Sequence, residues 1–285
     1  MNSSSKAMDA PRTVTGPPVD QRLLRATPPG HYSLSGALRS EWTKLRTVRS
    51  TLWSLVVLVV ISIGVSALAT AETRAHWVPG DALGFDATRL SLIGVFFAQL
   101  VIGVLAILVV SAEYSTGTIR SSLAAIPRRP LVLLAKVMVF GAVALIVCEL
   151  VAFASYFIGQ ALLSAPAVHT TLSSPGALRA VVGSGLYLCV LGLFALGLAA
   201  IIRHTAGAIG AFVGILLVAP LIVSALPHSL FVSVERFLPD RIGQNLISFH
   251  QHPSSFPVWG GFALLCGYAV ALLVIGGVVM VRRDA

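Results

Sequence analysis

The sequence predicts an all-α integral membrane protein with six transmembrane helices, an amphipathic interfacial helix before the first, and a short cytoplasmic helix between the second and third. Composition and six long apolar runs carry this prediction. The 285 residues are 56% hydrophobic and only 11% charged, with a mean hydropathy of +0.89. Soluble proteins have about 25% charged residues, so most of this chain belongs where charge is costly. The bases behind the net charge of +9 flank apolar runs and form no single patch, which argues against nucleic-acid binding.

The first 33 residues differ from the rest of the chain. They are rich in Pro, Ser, Thr and Gly and have no apolar period, so they cannot bury enough surface to offset the entropy of ordering. We expect residues 1–33 to form a disordered cytoplasmic tail, and residues 34–285 to form one membrane domain.

A helical stripe begins at Leu34. Apolar residues recur there at steps of three and four, with bases and hydroxyls on the other side. Such a helix, running directly into a membrane span, is expected to lie in the headgroup plane. Glu41 breaks the pattern because it projects near the centre of the apolar face. The stripe consists of Leu34, Leu38, Trp42, Leu45, Val48 and Leu52.

Six apolar runs are long enough, or nearly so, to cross about 30 Å of hydrocarbon. Only Arg203, His204 and Thr205 separate the fourth run from the fifth, and we expect a tight hairpin there in place of one long helix. The six predicted spans are residues 52–70, 90–111, 131–158, 177–202, 208–226 and 257–281.

The basic residues predict the orientation of these spans. With the N-terminus inside, cytoplasmic segments carry fifteen bases and external segments five. Because cytoplasmic loops are enriched in Lys and Arg, both termini are expected in the cytoplasm. Small residues four apart, which let helices approach closely in lipid, predict helix contacts through the last two spans. They are Gly210 and Gly214 in the fifth span and Ala263, Gly267 and Ala271 in the sixth.

The loop after the second span contains a second amphipathic pattern. Ile119, Leu123 and Ile126 form a one-sided stripe over two turns, and Pro127 ends it. A helix of two turns has no core of its own. Its stripe therefore has to dock on headgroups, on the bundle or on a second protein.

Two segments together resemble the permeases of ATP-binding-cassette (ABC) transporters of the type-two exporter class. They are residues 40–46, Ser-Glu-Trp-Thr-Lys-Leu-Arg, and residues 113–120, Glu-Tyr-Ser-Thr-Gly-Thr-Ile-Arg, the latter followed by Pro127-Arg128-Arg129 and Lys136. The resemblance implies that the first helix lies along the inner leaflet and that the loop helix is a coupling helix, which docks on an ATP-binding subunit. It implies coupling roles for Glu113, Gly117, Thr118, Ile119, Arg120, Leu123, Pro127 and Arg128, with Glu41, Trp42 and Lys44 on the interfacial helix. Under this resemblance, Glu41 is hypothesised to pair with a cytoplasmic base, such as Arg120 or Arg128, at the membrane surface.

The resemblance also implies partners. The chain contains no Gly-x-x-x-x-Gly-Lys-Ser/Thr loop, so we expect it to bind no cofactor and to be no enzyme itself. ATP and Mg²⁺ would be bound by a separate ATP-binding subunit. The chain is expected to work with a second permease subunit, identical or different, in the bacterial cell membrane.

The external segment 227–256 contains two amphipathic stretches. They are similar to the re-entrant helices of that family, and an ordinary external loop is an equal alternative. His228, His250 and His252 lie in this segment, but no set of ligands completes a zinc site, and we expect no metal.

Glu149 is the only acidic residue inside a predicted span. A charge at membrane depth costs about 2.5–3.5 kcal/mol on insertion scales, so such residues usually face the bundle interior. Three roles remain open: lining a conduit, contacting a cationic substrate, or, as we favour, hydrogen bonding to a neighbouring helix while protonated.

These features predict the membrane subunit of an ATP-driven exporter of a hydrophobic or amphipathic cargo, whether drug, antibiotic, peptide or lipid. The alternatives are an ion-coupled secondary transporter, which a lone Glu149 and the lack of a visible repeat disfavour, and a non-transporting immunity or regulatory subunit. An intramembrane enzyme is disfavoured because no His accompanies Glu149 in its span.

Overall fold

The computed structural model describes residues 34–78, 85–115, 129–163, 169–248 and 256–283. The predicted tail, residues 1–33, lies outside this part of the chain. Within the described ranges the protein consists of helices and irregular connections, without a β-strand.

Six helical segments are long and apolar enough to cross a membrane: Arg49–Ala75, Ala87–Tyr114, Leu131–Leu163, Ala177–Ile202, Thr205–Ser224 and Val258–Arg282. The predicted fold class is therefore confirmed. The helices are α1 (Leu34–Thr47), α2 (Arg49–Ala75), α3 (Ala87–Ser91), α4 (Val95–Ser115), α5 (Arg129–Leu163), α6 (Ala177–Ile202), α7 (Thr205–Val213), α8 (Ala219–Ser224), α9 (His228–Glu235), α10 (Pro239–Ile247) and α11 (Val258–Arg283).

Helix α6 is the centre of the bundle. It is the most buried span and packs against α4, α5 and α11. Gly197 brings α6 close to α11, since a Cβ there would lie 2.9 Å from the backbone nitrogen of Leu273. Close approach of this kind is how small residues stabilise helix pairs in lipid, where dispersion contacts replace the hydrophobic effect.

The predicted break between the fourth and fifth spans is confirmed. Helix α6 ends at Ile202, and Arg203 takes a left-handed conformation with φ of 59°. His204 then caps α7, its Nδ1 accepting a hydrogen bond from the Gly207 amide at 3.2 Å. A left-handed residue stops helical hydrogen bonding, so two charge-capable residues suffice to separate two apolar helices.

The fifth span is not a regular helix. Between α7 and α8 lies one π-helical stretch, Gly214–Val218, and Pro220 follows it. Proline donates no hydrogen bond, and its ring would clash with the carbonyl of Leu216 in a regular helix. The wider turn moves that carbonyl aside, as π-bulges commonly do.

The small-residue stripes of the last two spans face outward. Beyond the backbone of the glycine's own helix turn, no described atom lies within 4 Å of a Cβ placed on Gly210, Gly214 or Gly267. The sequence predicted helix contacts at these glycines, and within the described part of a single chain these positions make none.

The segment after the fifth span contains two short helices, α9 and α10, at the two predicted amphipathic stretches. Helix α9 buries no residue, whereas α10 buries Ile242 and Leu246 and packs against α6. The structure therefore places α10 within the bundle, and the re-entrant interpretation stays a prediction.

Candidate functional site: a charge network at one end of the bundle

Helix α1 presents an unexpected face to the bundle. Its buried residues are Ala37 and Glu41, and Trp42 on another face is 48% exposed. Glu41 is 4% exposed because α1 packs against the beginning of α5. The sequence signal at Glu41, an acid within an apolar stripe, thus corresponds to a buried charge.

Two lysines bind both oxygens of the Glu41 carboxylate. Lys44 Nζ lies 2.6 Å from Oε1, and Lys136 Nζ, near the beginning of α5, lies 2.6 Å from Oε2. Glu41 thus pairs with two basic residues, and its pairing with the bases named in the hypothesis, Arg120 and Arg128, stays untested. Both arginines lie outside the described residues.

Glu113, near the end of α4, closes the arrangement. Its Oε1 accepts from Lys44 Nζ at 2.8 Å and from Lys136 Nζ at 3.0 Å. Lys136 Nζ also lies 3.4 Å from the Val109 carbonyl. We refer to Glu41, Lys44, Glu113 and Lys136 as the charge network. It joins three elements: α1, the end of the second span and the beginning of the third.

The alternation of positive and negative side chains lowers the free-energy cost of burying this network in the bundle. Each carboxylate contacts two ammonium groups and each ammonium two carboxylates, so the formal charges cancel. Removing one ion from water costs several kcal/mol, which a single loose contact would not recover. Glu41, Glu113 and Lys136 are all under 9% exposed, so these contacts form where water screens them weakly.

Lys44 lies at the rim of the network. Burial lowers the pKa of its ammonium, but the hydrogen bonds and charges of Glu113 and Glu41 outweigh burial, and the pKa is raised above 10.5. The ammonium therefore stays protonated throughout the physiological range.

Two residues of the charge network flank, in the sequence, the segment predicted to be the coupling helix. Glu113 lies two residues before the end of α4, and Lys136 lies two turns after the beginning of α5. The segment between these helices, residues 116–128, lies outside the described residues. So do the predicted coupling residues Gly117, Thr118, Ile119, Arg120, Leu123, Pro127 and Arg128.

A further contact ties the same end of the bundle together. The guanidinium of Arg203 lies over the ring of Tyr114, with its Cζ 5.3 Å from the ring centroid. This cation–π contact connects the junction of α6 and α7 to the end of α4. Displacement of the α4 terminus would therefore act on α1, on α5 and on the break between the fourth and fifth spans.

Sequence reasoning identified Glu41, Lys44 and Glu113 but gave Lys136 no role beyond a loop base and family marker. The scarcity of lysine in the composition could have indicated a role for Lys136. The chain has 17 Arg and 3 Lys, and two of the three lysines belong to this network. Lysine offers a compact charge that two carboxylates can share, whereas the guanidinium of Arg prefers a planar, two-pronged contact.

Glu149 lies elsewhere, midway along α5. Its carboxyl group packs over Gly185 of α6, where a Cβ would lie 2.4 Å from Glu149 Cδ. Its Oε2 is buried and makes no hydrogen bond to any described residue. For that oxygen, the favoured expectation of a hydrogen bond to a neighbouring helix is not what the structure shows.

The family described as ABC-2 family transporter protein matches residues 37–229, about two-thirds of the chain. The matched region begins within α1 and includes all four residues of the charge network. Comparison with curated proteins gave no match. The chain therefore belongs to the ABC-2 family of transporter proteins and is a multi-pass membrane subunit of that type.

Proposed function

We propose that this chain is the membrane subunit of an ATP-driven exporter that moves a hydrophobic or amphipathic cargo across the bacterial cell membrane. ATP and Mg²⁺ bind to a separate subunit, which docks on residues 116–128, and this chain binds neither. The observation that carries the proposal is the buried charge network. Its ion pairs connect α1 to both of the helices that flank the docking segment.

Rigid attachment is what an energy-coupling element requires. A segment that ends in flexible loops would absorb the motion of a docked ATPase. Here the helix before the segment and the helix after it share Lys136 through Glu113. The motion of the docked subunit would therefore move α4 and α5 together with α1, and switch the bundle between inward- and outward-facing arrangements.

The basic residues support an orientation with the charge network and both termini in the cytoplasm. The external face is then the one that carries α9 and α10. Trp42, which is 48% exposed on α1, would lie among the lipid headgroups.

A second permease subunit completes the proposed complex. The fifth span has the glycine pair Gly210 and Gly214, and a Cβ on either would meet no described atom within 4 Å beyond the backbone of its own helix turn. Such a pair suits close contact with another helix in lipid. We propose that two permease subunits pair through this face.

Affinity purification from the native membrane tests the proposal. The tagged wild type is expected to retain an ATP-binding-cassette subunit, identified by mass spectrometry, and the variant Gly117→Pro/Arg120→Glu is expected to lose it. Arg282→Glu, at the exposed end of α11, is the matched control and should retain the subunit. Recovery of the intact chain without any ATPase, under conditions that preserve other membrane complexes, would contradict the proposal.

A further inference from the structure

A cavity of about 680 Å³ lies at the opposite end of α4 from the charge network. Its walls come from α3, the beginning of α4, Tyr187 of α6, and α10. Gln99 and Glu113 both belong to α4, so the polar end of the cavity lies about 21 Å from the network at 1.5 Å per residue. The cavity is therefore a separate site, and its size falls within the usual range for small-molecule pockets.

Most of the cavity wall is apolar. Phe96 and Phe97 line it with their rings in an edge-to-face pair, 5.5 Å between centroids. Ile93 lies one turn before them and is 41% exposed, and Ile247 of α10 lines another part of the wall. These side chains offer a surface for an aromatic or aliphatic body.

One end of the cavity is polar and buried. Tyr187 donates a hydrogen bond to Gln99 Oε1 at 2.6 Å, and Gln244 donates to Asp240 Oδ2 at 2.8 Å. Gln99 Nε2 is buried and faces the Asp240 carboxylate, but it makes no hydrogen bond of good geometry to any described residue. A buried amide donor without a well-formed hydrogen bond destabilises the site, and a ligand oxygen at this point would accept from it.

The polar end is held in place by a close helix contact. A Cβ on Gly243 of α10 would lie 2.4 Å from Cζ of Tyr187, so only glycine lets the ring pack against α10. This contact fixes the Tyr187 hydroxyl against Gln99 and places Asp240 beside it. The polar groups are therefore positioned before any ligand binds, which reduces the entropic cost of binding.

The charges of the cavity favour a cation. Its lining contains Asp86, Asp240 and Arg89, which leaves one negative charge. Asp240 is 5% exposed, and the neighbouring Arg241, whose Nε lies 3.4 Å from Glu235 Oε1, attracts its carboxylate without a direct ion-pair contact. Burial raises the pKa of Asp240 more than Gln99, Arg241 and Gln244 lower it, so these neighbours compensate its negative charge only in part. An added ammonium group would pair with this carboxylate, whereas an anion would be repelled by it.

We propose that this cavity binds an amphipathic molecule with an apolar body and a head that combines a protonated amine with a neighbouring oxygen. The body packs on Phe96 and Phe97, the ammonium pairs with Asp240, and the oxygen accepts from Gln99 Nε2. That the bound molecule is the cargo rests on the proposed transport function. The binding itself does not.

Three related probes test the ligand class. Propranolol has a naphthyl body, a protonated amine and an adjacent hydroxyl group. N-acetylpropranolol lacks the charge, and naphthoxylactic acid has a carboxylate in its place. Binding is measured by equilibrium dialysis with the chain in lipid nanodiscs, and protein-free nanodiscs provide the background for partition into lipid.

We expect propranolol to bind about ten- to a hundredfold more tightly than N-acetylpropranolol, because a hydrogen bond to a charged group contributes about 1.5–3 kcal/mol. Naphthoxylactic acid should show no binding above background. Asp240→Asn should weaken propranolol to the level of the acetylated probe and leave the latter unchanged. Ile93→Trp, which fills the cavity from an exposed position, should abolish binding of both. Ile275→Trp, at a similarly exposed isoleucine of α11, should change neither.

Equal binding of all three probes, preference for the acid, or binding unaffected by Ile93→Trp would each overturn the proposal. Size-exclusion profiles of the variants distinguish loss of the site from loss of the fold. The assay contains no ATP-binding subunit, so its failure would leave the docking proposal untouched. Loss of the ATPase from the purified complex would likewise leave this binding result in place.

Discussion

At the scale of single residues, Lys136 holds the charge network together. It contacts Glu41 and Glu113 at once and is 5% exposed. Without it, two buried carboxylates would share Lys44 alone. Removing one partner of a buried ion pair is far more destabilising than replacing the whole pair by apolar groups.

Lys136→Met tests this role. We expect the substitution to lower the free energy of unfolding by about 3–5 kcal/mol, because it leaves buried negative charge uncompensated. The double variant Glu41→Gln/Lys136→Met should recover part of that loss. Thermal stability in detergent, read as a double-mutant cycle, measures both effects. Additive losses from the two substitutions would show that Glu41 and Lys136 are not coupled.

Lys44 gives the network a dependence on pH. Its folded-state pKa lies above the ordinary value of 10.5, so its stabilisation is fully present below pH 10.5 and is lost as the pH rises through the higher folded value. The melting temperature of the wild type should exceed that of Lys44→Gln by a constant amount from pH 7 to pH 10.5, and the difference should shrink at higher pH. A difference that grows with pH would contradict the assigned contacts.

At the scale of elements, the pairing of α6 with α11 depends on one glycine. A Cβ on Gly197 would meet the backbone of Leu272 and Leu273 at 2.9 Å, and backbone atoms cannot move aside as a flexible side chain can. The two helices would have to separate, and overpacking of this kind costs about 1–3 kcal/mol.

Gly197→Ala is expected to lower thermal stability by an amount in that range. Gly267→Ala is the matched control, since it makes the same change on α11 at a position with no described atom within 4 Å. Helix propensity alone would make both substitutions stabilising. Stabilisation by Gly197→Ala would therefore mean that α6 and α11 lie further apart than the structure places them.

The sequence predicted the elements better than their contacts. Apolar length and capping residues are local features of the sequence. They could therefore predict the spans, the break at Arg203 and the two short helices α9 and α10. The anomaly of Glu41 was visible for the same reason. Its pairing with Lys136 was not, because it requires α1 to pack on α5, which follows it by more than eighty residues. The sequence could not predict the cavity either, since the burial of Asp240 depends on the contact between Gly243 and Tyr187.

At the scale of the whole molecule, the two sites lie at opposite ends of α4. The charge network fastens the helices that flank the proposed docking segment, and the cavity lies about 21 Å away at the other end of the same helix. Rigid-body movement of α4 would therefore displace residues of both sites. The glycine pair Gly210 and Gly214 of the fifth span is the proposed contact surface for a second permease subunit.

Pairing of permease subunits is tested by Gly210→Leu/Gly214→Leu. Both positions are open in the single chain, so the fold should survive, and the complex should shift to the mass of one permease by light scattering in detergent. Gly267→Leu provides the control and should leave the mass unchanged. Loss of the paired form in the control alone would place the interface on the sixth span.

The central claim is that an ATP-binding subunit docks on the segment between α4 and α5, and site-specific photo-crosslinking in cells tests it most directly. A benzophenone amino acid at Leu123 probes the segment. The same group at Leu230 of α9, which is 53% exposed, probes the opposite face. We expect an adduct with an ATP-binding-cassette subunit from position 123 and none from position 230. Adducts with that subunit from position 230 alone, or from neither position while the complex stays intact, would contradict the claim.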